Sequence, residues 1–248
     1  MAKKFIFLLC VSLLFGITFF FPALISSQQI PNKSAIKIKK YTAPSGNKYN
    51  FYLKGTNKIK FTATRPDKED TTILLCIPAA FTRLTDYKPD GFFMVNGVPG
   101  NQDSINYTLD GTVKISEDSL QFFSSNKGKI FTKTFVDSLK IEKAFIFQQT
   151  QLIKNSTPLA VRSNHKYQCR GIAILATGEV CVIESEDVIT LATFAEDLAS
   201  EKKVKQLMYT DMGAWDEGWY KNSKNRLVKL GKNFSQTKKQ SNWLIFVK

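Results

Sequence analysis

Gln168–Leu175 (QCRGIAIL), the tetrapeptide Ala176-Thr177-Gly178-Glu179 and Val180–Glu184 (VCVIE) decide how this chain folds. Two apolar runs joined by a glycine-bearing turn predict an antiparallel hairpin. Thr190 then opens a helix. Its hydroxyl suits an N-cap, and Leu191, Phe194, Ala195 and Leu198 recur on one face until the pattern ends near Ala199. Val204–Thr210 (VKQLMYT) follows as a buried strand that delivers Asp211 and Gly213 at its end. Strand, turn, strand, helix and strand make an α+β unit.

Working outward, Tyr49–Leu53 and Ile59–Thr64 alternate between turn residues such as Gly46 and Gly55, and Thr72–Ile77 is an apolar strand that stops at Pro78. Gly91–Gly97, Thr112–Ile115 after an Asp110-Gly111 turn, Lys129–Phe135, Lys143–Gln148 and Asn242–Val247 are further expected strands. The chain has 248 residues, and domains typically take roughly 100 to 200. With no internal repeat and no break in composition, residues 28–248 are expected to form a single mixed α+β domain with a largely antiparallel β-sheet core and few helices. Hydrophobic residues at 43% against 23% charged exclude a disordered linker. Four cysteines exclude a disulfide scaffold.

The first 27 residues carry an address. Lys3 and Lys4 precede an uncharged run from Phe5 to Phe21, followed by Pro22, Ala23 and a polar exit at Ser26 and Ser27. A basic head, an apolar middle and a small-residue neck are the parts of a secretory signal peptide, so the mature chain is expected to be secreted or periplasmic, with no stable membrane span after cleavage. The run falls short of the roughly 20 residues of a spanning helix; a retained anchor is the other reading.

Charge is the strongest bias: 35 Lys and Arg against 21 Asp and Glu, net +14. Between Gln28 and Arg65, and again between Lys221 and Lys248, no acidic residue occurs. Export removes nucleic acid as the default partner, leaving an anionic or phosphorylated glycan, or simply a solvated cationic surface. Cys76, Cys169 and Cys181 lie in apolar runs and are expected to be buried thiols. The motifs GxxxxGK(S/T), GxGxxG, HExxH and GxSxG are absent and there is one histidine, so no metal site and no cofactor is expected.

Asp211 stands where a buried strand meets a glycine turn, either as a side chain presented to a cleft or as an aspartate that orders the turn. Arg170 is an arginine inside an apolar strand, and such a charge must face outward, be paired, or meet a ligand. Asp216, Glu217 and Glu184 are candidate second acids or surface charges. His165 precedes the Arg170 strand and serves either as a surface or satisfied structural residue, or as a second hydrogen-bond donor to the phosphate or a general acid. Trp215, Trp219 and Tyr220 follow Asp211 directly and suit either core packing or stacking on a sugar ring.

The stretch from Cys169 to Gly213 resembles the phosphodiester glycosidase domain family, whose pattern is a strand of the type Arg-Thr-Ala-Ile-Gly, a glycine turn, a helix opening Thr-Leu and a strand ending Leu-Asp-Gly-Gly. Here these read Arg170-Gly171-Ile172-Ala173, Thr177-Gly178-Glu179, Thr190-Leu191 with Phe194-Ala195, and Thr210-Asp211-Met212-Gly213. Ile77-Pro78-Ala79-Ala80-Phe81 pairs more weakly with an Asn-Gly-Gly-Phe element, without its asparagine, and Ala214-Trp215-Asp216-Glu217-Gly218-Trp219 replaces a serine-rich stretch. The resemblance implies a hydrolase of phosphodiester-linked sugars, with Asp211 as the carboxylate that stabilises an oxocarbenium-like transition state or activates water, and Arg170 as the phosphate clamp. His165, Gly213, Trp215 and Glu184 are then expected around the substrate. The runner-up is a noncatalytic envelope protein that binds anionic glycans.

Overall fold

The structure, a computed structural model, describes residues 35–100, 104–117, 119–161, 163–200, 203–213, 215–232 and 235–248. The leader assigned to residues 1–27 lies outside the described residues. Among those described, no helix is long and apolar enough to cross a membrane.

Three antiparallel sheets share one core. The first has seven strands, in the order Lys37–Thr42, Lys48–Leu53, Val180–Ile189, Tyr167–Leu175, Val204–Tyr209, Gln151–Lys154 and Thr157–Pro158. The second runs Leu227–Lys229, Trp219–Lys221, Ile73–Pro78, Trp243–Val247 and Lys58–Thr62, and the third Val98–Pro99, Phe93–Val95, Phe145–Gln149, Gly111–Ser116 and Ser119–Ser124. The mixed, mainly antiparallel α+β architecture expected from the sequence is the one observed.

Alternation along the strands explains the packing. Ile172, Val182, Met208 and Tyr52 of the first sheet meet Leu75, Ile77, Leu244 and Phe246 of the second and Val113, Ile115 and Phe147 of the third. On the other face of the first sheet, Ala173, Cys181, Ile183 and Leu207 pack against Phe194 and Leu198 of the helix Leu191–Ala199, which Thr190 caps by accepting from the Thr193 amide. Both faces of the central hairpin are therefore buried, which is why its strands are almost continuously apolar. Cys76, Cys169 and Cys181 are buried free thiols. Gly171 serves close approach of backbone, since a Cβ there would lie 2.7 Å from the Met208 carbonyl oxygen on the neighbouring strand.

Three local expectations are corrected. Lys129–Phe135 is not a strand; Thr132 caps a helix, Lys133–Ile141, by accepting from the Phe135 amide at 3.2 Å. Phe135, Val136 and Leu139 then fall on one helical face over Ile146 and Phe92. Gly91–Gly97 is not one strand either, because Asn96 and Gly97 both take positive φ and form the tight turn that pairs Val95 with Val98. Asp110-Gly111 is no hairpin turn. Gly111 begins its strand, and the Asp110 carboxylate accepts from Ser124 Oγ and the Lys127 amide.

Candidate active site

Asp211 leaves the strand Val204–Tyr209 at the end where three segments meet. Its backbone amide donates to the Ala79 carbonyl at 3.0 Å, joining the two regions that carry the family-like pattern. The Ala79–Thr82 segment is itself fixed from the last strand. Asn242, fully buried, accepts from the Ala80 amide at 2.7 Å and donates to the Ala80 carbonyl at 3.0 Å, while Ser241 Oγ and Thr82 Oγ1 stand 3.0 Å apart. Asn242→Ala removes both bonds to the buried Ala80 backbone and is expected to cost about 1–3 kcal/mol, checked by urea unfolding. An unchanged midpoint would contradict that role.

Asp211 lines a pocket of about 260 Å³ with Phe81, Thr82, Leu84, Met212 and Trp215. Burial, and then the negative charge of Asp216, push its carboxyl up to about 7, against the backbone amides of Thr82 and Met212 and the positive charge of Arg170, which act the other way. The result is a carboxyl that titrates near neutrality at the wall of a pocket.

Arg170 lies elsewhere than a phosphate clamp would. Its side chain is fully buried: Nε donates to Glu184 Oε2 at 2.6 Å, Nη1 to Asp216 Oδ1 at 2.8 Å and Nη2 to Asp216 Oδ2 at 3.0 Å, with a further bond from Nη2 to Glu184. Four donations go to carboxylates, and Gly218 and Gly231 close over the group. A Cβ at Gly218 would lie 2.9 Å from Nη1, and one at Gly231 2.2 Å from Asp216 Oδ2. Burial alone would weaken the guanidinium's hold on its proton; Asp216 and Glu184 outweigh it and keep the group firmly charged. Two carboxylates around one guanidinium leave a net negative cluster, whose Asp216 member is the charge acting on Asp211. Glu184 and Asp216 are thus buried members of this cluster and not surface acids. Glu217 pairs instead with Arg65 and, at 2.8 Å, with Lys68.

The remaining candidates divide by position. Trp215 shares the Asp211 pocket, whereas Trp219 and Trp243 are buried against Cys76 and Ile245, so the tryptophans split between a site and the core. Gly213 is exposed in the turn after Asp211, with φ +127°, and its carbonyl accepts from the Asp216 amide at 3.1 Å. His165 is exposed in the segment before Tyr167 and does not line the pocket. Two residues beside the pocket escaped the sequence reading. Tyr87 packs edge-on to Trp215 with ring centroids 5.8 Å apart, and Lys239 Nζ stands 5.6 Å from the Trp215 ring and 5.4 Å from that of Tyr87. Their only local signals, a lone Tyr and one lysine of a Lys-Lys pair, are those of ordinary surface residues.

With this geometry in place, the comparisons bear on it. The chain is similar to the solved catalytic domain of zebrafish N-acetylglucosamine-1-phosphodiester alpha-N-acetylglucosaminidase, auto-inhibited by its pro-peptide, with a TM-score of 0.57, 11% identity, and 86% of this chain and 82% of that one covered. A hypothetical protein from Synechocystis is similar with a TM-score of 0.60 and 10% identity, over 86% of this chain and 62% of that one. No protein-family model matches the chain, and no curated protein matches it in sequence. At such identities the likeness is one of fold, and it agrees at that level with the family resemblance of Cys169–Gly213.

Proposed function

We propose that this chain is an exported hydrolase that cleaves the sugar–phosphate linkage of a glycosyl phosphodiester in a glycan or cell-envelope component. The observation that carries the reading is the Asp211 carboxyl, pushed up to about 7 at the wall of a pocket that also holds Trp215. Its partial support is the fold likeness to a phosphodiester glycosidase catalytic domain.

The chemistry fits such a carboxyl. Breaking the bond between the anomeric carbon and the phosphate oxygen releases a phosphate that needs little protonation, so the demand falls on the developing sugar cation and on water. Ionised Asp211 stabilises the cation electrostatically and takes a proton from the water that attacks the anomeric carbon; the amides of Thr82 and Met212 orient it. A base with a proton affinity near neutrality serves that transfer better than an ordinary carboxylate. Trp215 offers the sugar a ring face. Arg170 is assigned a positioning role, holding Asp216 where its charge tunes Asp211, and Lys239 beside the Trp215 ring is the cation assigned to the phosphate.

The test is sugar release from a panel of glycosyl phosphodiesters, with kcat/KM expected to rise with pH along a limb near 7. Asp216→Asn removes the charge that raises Asp211, so the limb should move to lower pH. A limb that stays in place would separate Asp216 from the chemistry. One observation favours the alternative of anionic-glycan binding without turnover: the Arg170 guanidinium is engaged by Glu184 and Asp216 and does not line the pocket beside Asp211. Binding with no sugar release from any member of the panel would select it.

A further inference from the structure

A second cleft, of about 450 Å³, opens beside the Asp211 pocket. The two meet along a ridge. Tyr87, which lines the second cleft, packs against Trp215, which lines the first, and Ser241 of the second lies within hydrogen-bonding distance of Thr82 of the first. Lys239 covers both rings of the ridge.

The second cleft is cationic and aromatic. Arg65, Lys88, Lys238 and Lys239 line it together with Tyr87 and Trp243. Arg65 is held in place by the Trp243 ring, 5.0 Å from its guanidinium carbon, by the Thr237 carbonyl at 2.8 Å, and by its pairing with Glu217. Lys88 and Lys238 are exposed and form no salt bridge with a described residue. Gln240 lines the same cleft, is only 4% exposed, and its Oε1 has no hydrogen-bond partner, although its Nε2 donates to the Asn242 carbonyl at 2.9 Å. A buried acceptor without a partner is costly unless a ligand donor completes it.

We propose that this cleft is a second subsite, which takes the continuation of the glycan beyond the scissile phosphate and recognises a further anionic group on it, a phosphate or a carboxylate, through Lys88 and Lys238. The proposal rests on the glycosyl-phosphodiester reading only for the direction of the chain; the recognition chemistry is the cleft's own. A glycan is the occupant assigned to it: its hydroxyls supply donors for Gln240, its apolar faces suit Tyr87, and the proposed export sets nucleic acid aside.

The experiment is calorimetric titration of the full chain and of Lys88→Gln/Lys238→Gln with four probes of similar length: a phosphomannan oligosaccharide, a galacturonate hexasaccharide, neutral mannohexaose and a ten-residue oligothymidylate. Melting temperature serves as the folding control. One or both anionic oligosaccharides should bind about ten-fold more tightly than mannohexaose, with that advantage lost in the variant; the better ligand tells phosphate from carboxylate. Equal binding of neutral and anionic sugars, an undiminished advantage in a folded variant, or oligothymidylate binding as tightly as the sugars would overturn the proposal. Charge-dependent binding without sugar release leaves the subsite standing and rejects the hydrolase. Sugar release from short phosphodiesters without that dependence does the reverse.

Discussion

Arg170→Met is expected to destabilise the protein by about 3–5 kcal/mol, roughly 10 °C in melting temperature for a chain of this size. The reason is what remains behind. Glu184 and Asp216 are 5% and 3% exposed, and without the guanidinium they become two like charges facing each other away from water. Arg170→Lys should recover only part of the loss, because one ammonium cannot repeat forked contacts to two carboxylates. Replacing all three side chains together, Arg170→Met with Glu184→Leu and Asp216→Leu, should restore much of the stability, since the ions are then removed with their desolvation cost. Urea midpoints of the three proteins provide the check; a single substitution that costs under about 1 kcal/mol would mean that the cluster is open to water.

Asp211→Asn is expected to abolish sugar release and, in the same protein, to raise stability above neutral pH. In the folded state the carboxyl protonates near 7; unfolded, near 4. Below pH 4 both states carry the proton and Asp211 imposes no penalty. From pH 4 to 7 the unfolded chain ionises first, binds fewer protons and is favoured, so stability falls as pH rises; above 7 the loss is complete. Asparagine does not titrate. The variant should therefore gain on the wild type across that window, by on the order of 4 kcal/mol at pH 8. Melting curves at pH 5 and pH 8 measure it, and a difference between the two proteins that does not change with pH would contradict the burial of an ionisable Asp211.

The sequence carried the central hairpin well because its constraints are local: a glycine turn at Gly178, strands apolar on both faces, a hydroxyl cap at Thr190. The helix at Lys133–Ile141 was missed because Lys129–Phe135 is rich in the β-branched and aromatic residues of strands, and the choice was made by the Thr132 cap and by the third sheet beneath Leu139. The Glu184 half of the Arg170 cluster was legible to within one residue: a turn at residues 176–179 sets Leu175 against Val180 and Arg170 against Ser185, whereas the observed register pairs Ile174 with Val180 and Arg170 with Glu184. The other half was not, because Asp216 reaches the guanidinium from an irregular segment that no periodicity describes. The same holds for Asn242, Thr82 and Lys239, brought to Asp211 from segments remote in sequence by pairing of the last strand with Ile73–Pro78.

Turnover of a glycosyl phosphodiester in H2¹⁸O asks most directly whether this pocket breaks the bond between sugar and phosphate oxygen. If water attacks the anomeric carbon beside Asp211, the label appears on C1 of the released sugar and the phosphate monoester stays unlabelled. Label in the phosphate, or no product from any member of the panel, would contradict the account.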